Sequence, residues 1–250
     1  MNQHLTINPV EWEARCQLAA LYRLIAHYKM TDLIDTHISL RVPEEPNHFL
    51  INRYGVIFDH MRASDLVKID HDGKIVESYD QGKKVNVAGF VIHSAIHHAK
   101  PHLDCVIHTH TADGVAVSAQ KDGLLPISQH ALKFYRRLSY HDYEGIALSL
   151  EERERLINDL GNNKAMILRN HGLLAAGESV AHAFHEIFFL ERACQIQIKA
   201  LSGQNLIYPS QALCEFTASQ FEQDDAEGII WDAWHAALSL IEKDKADFCC

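Results

Sequence analysis

Three histidines stand at the ends of two apolar runs, where their side chains can meet. His108 and His110 close the run that starts at Cys105, and His171 closes a second run that starts at Met166. Both runs have the short, turn-bounded, β-rich composition of buried strands. Because residues two apart on a strand point to the same face, His108 and His110 can offer two imidazoles to one point. With a third imidazole from another strand end they make the open three-nitrogen set of a catalytic metal site, whose ion acts as a Lewis acid on a carbonyl or hydroxyl group.

The sequence leaves the identity of such a metal open. Zn²⁺ is the expected ion, and Fe²⁺, Mn²⁺, Co²⁺ or Ni²⁺ also enter sites built from imidazoles. The competing interpretation is that each histidine is buried and bonded to a backbone carbonyl. Two histidines on one strand face and a third at another strand end favour the metal site over that interpretation.

A second pair of histidines, His93 and His97, lies four residues apart on a predicted helix and therefore shares one face. The spacing is that of zinc proteases, but Ser94 stands where those enzymes have a glutamate. We therefore predict that this pair forms a polar helix face or contacts the main site, rather than binding a metal of its own.

The elements that position these residues are predicted from hydrophobic periodicity and from end signals. Asn8, Pro9 and Glu11 mark the start of a first helix, and Ser149 and Glu152 form a capping box for a helix that ends near residue 161. Strand-like runs lie at residues 37–41, 48–52, 66–70, 74–76, 105–110, 140–148 and 166–171. Further helices are expected at residues 89–99, 111–120, 179–201 and 210–242.

This order of elements predicts one α/β domain of three layers, with a central, mostly antiparallel sheet flanked by helices. The domain is expected to span residues 1–250, with a core over about residues 12–200 and a helical C-terminal extension at residues 205–245.

The composition is that of a soluble globular protein, with 47% hydrophobic and 22% charged residues among 250. The net charge of −10 argues against nucleic acid or an anionic membrane as the main partner. The N-terminus lacks a basic segment followed by an apolar one, and the apolar stretch at residues 228–241 is too short to span a bilayer. We therefore expect a cytoplasmic protein.

Six cysteines, at positions 16, 105, 194, 214, 249 and 250, show no spacing typical of a disulfide framework. Cys16, Cys105 and Cys194 lie within apolar runs, so we expect free, buried thiols in a reducing compartment. The terminal pair, Cys249 and Cys250, is expected to belong to a frayed, exposed end, with a lipidation signal as the alternative.

Several motifs together make the chain resemble the class II aldolase/adducin family over about residues 12–200. The stretches that carry the resemblance are residues 35–41, 49–55, 63–70, 86–93, 106–110 and 168–172. Residues 88–90, 123–127 and 140–145 make the chain look nearer the adducin-like branch. The resemblance implies the class II aldolase fold, a zinc ion held by His108, His110 and His171, a small-molecule substrate, and a homotetramer with sites between subunits.

The chain departs from the pattern of the family's sugar-phosphate aldolases at two places. Gly89 stands where those enzymes have the glutamate that acts as general acid/base, four residues before His93. The family's Gly-Asn-x-Ser phosphate turn reads Thr-His-Ile-Ser at residues 36–39. A positioned general base contributes about 10²–10⁴ in rate, so cleavage of a sugar phosphate is expected to be slow without a replacement.

Other side chains are candidates for the missing roles. For proton transfer we single out Glu144 and His130, the latter where the resembling aldolases carry an aromatic hydroxyl that reaches a neighbouring subunit's site. His37, Asp113 and His141 are further candidates for that role. The candidates for binding substrate are His37, Tyr54, Gly55 and Gly89.

Two functions from different classes, and a third idea, follow from these observations. The first is a metal-dependent lyase of the aldolase type, acting on a small hydroxy-carbonyl or hydroxy-acid compound through a metal-stabilised enolate. The second is a non-catalytic, adducin-like oligomeric interaction module that retains the metal site. The third is iron in place of zinc, for chemistry with oxygen.

Overall fold

The computed structural model describes residues 7–145, 151–203, 205–224 and 226–250, and this part of the chain contains both strands and helices. The strands are β1 (His37–Val42), β2 (Glu45–Ile51), β3 (Val67–Asp70), β4 (Cys105–Thr109), β5 (Leu138–His141), β6 (Ala165–Leu168) and β7 (Gly172–Gly177). The helices are α1 (Pro9–His27), α2 (Val87–Ala99), α3 (Ala112–Ser118), α4 (Gln129–Leu132), α5 (Glu152–Leu160), α6 (Val180–Ala200), α7 (Gln211–Phe221), α8 (Ile229–Leu238) and α9 (Lys245–Phe248). Within these ranges, no helix combines the length and the apolar character needed to cross a membrane.

These strands form one sheet in the order β3-β2-β1-β4-β7-β6-β5. Neighbouring strands are antiparallel, apart from the parallel pair β5 and β6. The prediction of a mixed α/β domain with a central, mostly antiparallel sheet flanked by helices is therefore confirmed. Strand β4, which carries His108, lies at the centre of the sheet.

Helices cover both faces of the sheet, and alternate residues of β4 contact the two layers. Ile107 belongs to the core formed with α1, α6 and α8, whereas Val106 belongs to the core formed with α2 and α5. Because side chains alternate along a strand, His108 shares the face of Val106. The candidate site therefore lies on the side of the sheet that α2 covers.

The first helix begins at the predicted cap. The side chain of Asn8 accepts a hydrogen bond from the backbone N–H two residues later, and Pro9 occupies the first turn. Glu11, predicted to complete a capping box, is instead ion-paired with Arg15 Nε at 2.8 Å and with Lys68 Nζ at 3.0 Å. All three charged side chains are buried, so mutual neutralisation rather than capping decides where Glu11 points.

Two predicted strands have different limits in the structure. Residues 74–76 form no strand in the described chain, and Ile75 makes an isolated bridge to Ile69. The strand predicted at residues 140–148 is β5, which begins two residues earlier and ends at His141. Residues 142–145 form no strand, and the end of the predicted run and the capping serine fall at residues 146–150, outside the described residues.

The C-terminal region corrects two expectations about the cysteines. A disulfide joins Cys16 of α1 to Cys249, with their Cα atoms 4.9 Å apart. The prediction of a free thiol at Cys16 is therefore wrong. Phe248 is buried, so the end is not frayed. The helical region predicted at residues 210–242 is divided into α7 and α8, and α9 packs against α1 and brings the two cysteines together. The other cysteines are free, at positions 105, 194, 214 and 250.

Candidate metal centre

Two neighbouring strands bring the three histidines together. His108 lies in β4, His110 directly follows that strand, and His171 lies in the turn between β6 and β7. Since β7 pairs with β4, the turn is carried to the end of β4. Gly172 allows this approach, because a Cβ atom there would lie 2.3 Å from the backbone oxygen of Thr109.

The three rings present their Nε2 atoms to one another. The Nε2 separations are 2.7 Å between His108 and His110, 3.0 Å between His110 and His171, and 3.3 Å between His108 and His171. A point equidistant from all three nitrogens lies about 1.8 Å from each in their plane, whereas zinc–imidazole bonds are about 2.0–2.1 Å. The three nitrogens would therefore suit a single divalent ion held by His108, His110 and His171.

Hydrogen bonds at the opposite ring nitrogens hold two of the rings. Nδ1 of His108 donates to the backbone oxygen of Leu173 at 2.9 Å. Nδ1 of His110 lies 3.2 Å from Oδ2 of Asp32. A ring that donates through Nδ1 keeps its Nε2 lone pair for a metal, so these contacts favour the tautomer that binds.

Burial keeps the imidazoles of His108 and His171 neutral. It lowers the pKa of His108 well below the ordinary histidine value, and the neighbouring imidazole of His110 adds to the effect. Burial likewise lowers the pKa of His171 to about 4, again with a contribution from His110. Because a metal binds the deprotonated imidazole, these residues are in the binding form at neutral pH.

A fourth imidazole, that of His37, lies beside the three. His37 pairs with His108 across β1 and β4, and the ring centroids are 5.1 Å apart. Both ring nitrogens of His37 are buried, without a hydrogen-bond partner in the described part of the chain. Gly89 of α2 makes room for this ring, since a Cβ atom at residue 89 would lie 2.5 Å from Cδ2 and 2.6 Å from Nε2 of His37.

The hydroxyl of a serine lies between the rings of His93 and His97. Ser39 Oγ lies 2.7 Å from Nδ1 of His93 and 2.7 Å from Nε2 of His97. A hydroxyl carries one hydrogen, so it donates to one ring and accepts from the other. This geometry supports the interpretation of the pair as polar contacts behind the site. It also leaves Ser39 Oγ engaged on two sides.

Glu144 lies outside the histidine triangle. It is ion-paired with Arg155, with Nε 2.7 Å from Oε1, and this hydrogen bond lowers the pKa of the Glu144 carboxyl. Arg155 therefore competes with a substrate for this carboxylate, and the role of Glu144 in proton transfer stays a prediction.

The other candidates for proton transfer differ in their surroundings. His130 packs against Phe189 of α6, with ring centroids 5.5 Å apart, and its role in a neighbouring subunit's site stays a prediction. His141 lines a small pocket together with His171, and its Nδ1 lies 2.7 Å from Asp159 Oδ2. Asp113 lies in the first turn of α3, behind the end of β4.

Tyr54 and Gly55 occupy an exposed turn. The hydroxyl of Tyr54 lies 3.4 Å from Oδ1 of Asp35 in the loop before β1. Gly55 has a φ of +92°, a conformation that favours glycine, so the turn alone accounts for it. Their contact with a substrate stays a prediction.

Asp32 is the residue that sequence analysis missed. It lies in the loop between α1 and β1, 78 positions from His110. Neither periodicity nor a motif marks it, and a lone aspartate in a loop carries no signal of its own.

The fold and the histidine cluster together define a class of mixed α/β domain, in which strand ends near the centre of the sheet present imidazoles to one point. Residues 16–198 match the family model described as the Class II Aldolase and Adducin N-terminal domain. The chain belongs to this family, as its motifs predicted.

Similar proteins of two kinds accompany this match. An aldolase II superfamily protein from Pseudomonas syringae is 50% identical, with 99% of both chains covered and a TM-score of 0.94. L-fuculose 1-phosphate aldolase from Glaciozyma antarctica PI12 is 26% identical, with 97% of this chain and 95% of that chain covered and a TM-score of 0.84. Alpha-adducin of Rattus norvegicus is 47% identical over 190 residues, which are 76% of this chain and 26% of that protein.

Proposed function

We propose that this protein is a metal-dependent lyase of the class II aldolase type, acting on a small hydroxy-carbonyl or hydroxy-acid compound. One arrangement carries the proposal: three imidazole nitrogens face one point, and the buried ring of His37, without a hydrogen-bond partner among the described residues, lies beside them. We take the ion to be Zn²⁺ and the protein to be a cytoplasmic homotetramer. When bound, the ion supplies Lewis acidity toward a carbonyl or hydroxyl oxygen.

His37 is the side chain that we assign to proton transfer. Its Nε2 lies 2.6 Å from the position that a Cβ at residue 89 would take, so the ring fills the space where the sugar-phosphate aldolases have their glutamate side chain. Burial and the neighbouring His93 lower the pKa of His37 well below its ordinary value. The ring is therefore neutral at pH 7, and neither of its nitrogens has a hydrogen-bond partner among the described residues that would compete with a substrate proton.

The substrate that fits this arrangement is unphosphorylated. Residues 36–39 replace the phosphate turn, and two of its positions are occupied by side-chain contacts. His37 packs against Gly89, and Ser39 Oγ is shared between His93 and His97. Because Ser39 Oγ is buried and shared between two rings, it is not free to donate to a phosphate dianion.

Metal analysis combined with substitution tests the proposal. The purified protein is expected to retain a divalent ion, and His108→Ala should lose both the ion and turnover of a panel of unphosphorylated hydroxy acids and hydroxy ketones. His98→Ala, on the same face of the sheet but outside the triangle, is the matched control and should retain the ion. A protein that binds no divalent ion, or a His108→Ala variant with unchanged turnover, contradicts the proposal.

The role of His37 is tested separately. His37→Gln should lower kcat by about 10²–10⁴, the contribution of a positioned general base, while the ion stays bound. Equal losses of metal and turnover would instead assign His37 to the metal site.

A second candidate function, an adducin-like interaction module without catalysis, is favoured by one specific observation. Residue 89 has no side chain, and the chain is 47% identical to alpha-adducin over 190 residues. On this hypothesis the metal stabilises the fold and exchanges no ligand. Binding of a small carboxylate to the cobalt-substituted protein, followed by visible absorption, separates the two functions, because only an open site changes its spectrum.

A further inference from the structure

We propose that Asp32 is a positioning residue of the metal centre, whose carboxylate holds the His110 ring with Nε2 directed at the shared point. This inference rests on the proposed metal site and adds a residue to it. Oδ2 of Asp32 lies 3.2 Å from Nδ1 of His110, while Nε2 of the same ring lies 2.7 Å from His108 and 3.0 Å from His171.

The three rings of the triangle differ in what holds them. His108 lies within β4, and its Nδ1 donates to a backbone oxygen of the neighbouring strand at 2.9 Å. His110 lies just beyond the end of β4, and its Nδ1 faces the carboxylate of Asp32 rather than a carbonyl of the neighbouring strand. Asp32, from the loop between α1 and β1, is therefore placed to orient this ring.

The carboxylate also selects the tautomer of His110. With Nδ1–H donated to Asp32, the Nε2 lone pair points inward. In the opposite tautomer an Nε2–H bond would occupy the space where the three nitrogens converge. Removing a hydrogen-bond partner of a ligating histidine typically weakens metal affinity by about 10–100-fold.

The exposure of Asp32 sets the expected size of the effect. Half of its side chain is exposed, whereas that of His110 is 19% exposed. Water competes for the carboxylate, so we expect a loss near the lower end of that range, about 10-fold. The turn that presents Asp32 is closed by a hydrogen bond from the backbone N–H of Asp35 to the Asp32 backbone oxygen at 2.9 Å. This backbone contact does not depend on the side chain that is substituted.

Zinc affinity, measured by competition with a chromophoric chelator, tests the proposal. Asp32→Ala should bind zinc about 10-fold more weakly than the wild type, and Asp32→Asn should lie between them, because it keeps an acceptor but loses the charge. Asp35→Asn, in the same loop, is the matched control and should leave zinc affinity unchanged. The visible spectrum of the cobalt-loaded protein should change with Asp32→Ala, since one ligand ring is less constrained.

The outcomes separate this inference from the metal proposal itself. If the wild type binds no zinc or cobalt, the metal proposal fails. A second outcome is that the wild type binds zinc, that the zinc affinity of Asp32→Ala is within 2-fold of the wild-type value, and that the cobalt spectra are the same. In that case Asp32 has no positioning role, and the proposal of the three-histidine site is unaffected. Thermal unfolding of the metal-free proteins guards against a merely structural effect, because a positioning role leaves their unfolding temperature unchanged.

Discussion

Replacing Gly89 by alanine tests the contact that places His37 beside the candidate metal centre. The new Cβ would lie 2.5 Å from Cδ2 of His37, whereas carbon atoms in contact are normally about 3.5–4.0 Å apart. His37 is fully enclosed, with His93 and His108 at ring-centroid distances of 4.5 and 5.1 Å. The ring cannot give way without displacing a neighbour, so the substitution overpacks the site.

The magnitude follows from two opposing effects. Overpacking a well-packed core costs about 1–3 kcal/mol. Replacing glycine by alanine in a helix returns up to about 1 kcal/mol. We therefore expect Gly89→Ala to lower the free energy of unfolding by about 1 kcal/mol. In a His37→Ala background the steric conflict is gone, and the same substitution should raise the free energy of unfolding by up to about 1 kcal/mol.

Urea unfolding of the four metal-free proteins measures this cycle. The expected coupling between residues 37 and 89 is about 2 kcal/mol, and its sign matters more than its size. If Gly89→Ala stabilises the protein equally in both backgrounds, the ring of His37 does not occupy the space over residue 89. The assignment of His37 to proton transfer would then lose its geometric basis.

Three further predictions concern the rest of the molecule. Burial lowers the pKa of His97 to about 3, so below about pH 6.5 the unfolded chain binds a proton at this residue that the folded chain does not bind. The free energy of unfolding should therefore fall on acidification from pH 7 to 5. Urea unfolding should show a smaller fall for His97→Gln. Because Cys16 and Cys249 form a disulfide, the unreduced, denatured protein should have four reactive thiols. Reduction should lower the free energy of unfolding by about 2–4 kcal/mol. The Cys16→Ser variant, which lacks the disulfide, should show no such change on reduction. Arg15→Ala removes a buried cation that pairs with Glu11 and that shares Asp80 with Lys83, and it should cost about 3–5 kcal/mol; a loss below 1 kcal/mol would show that these pairs are dispensable.

Much of the fold and part of the candidate site could be predicted from local patterns. The alternation along residues 105–110 places His108 and His110 on one face whatever lies around them, and the cap at Asn8 starts α1 where it was expected. The misjudged details were those in which a distant residue overrides a local signal. Glu11 follows buried cations rather than its own helix end, and Cys16 pairs with Cys249 instead of keeping a free thiol.

The sequence by itself determined the family, the strands that carry the histidines and the absence of a carboxylate at residue 89, because each of these is a matter of residue type and short-range period. Only the tertiary structure decided which groups share a space. His108 and His171 are separated by 63 positions, Asp32 and His110 by 78, and Cys16 and Cys249 by 233. Such contacts arise from the order of strands in the sheet and from the packing of α2 and α9 on other elements, which minimise the free energy of the whole chain rather than of any segment. The sequence shows only that residue 89 lacks a catalytic side chain. The tertiary structure shows that the ring of His37 occupies the space next to Gly89.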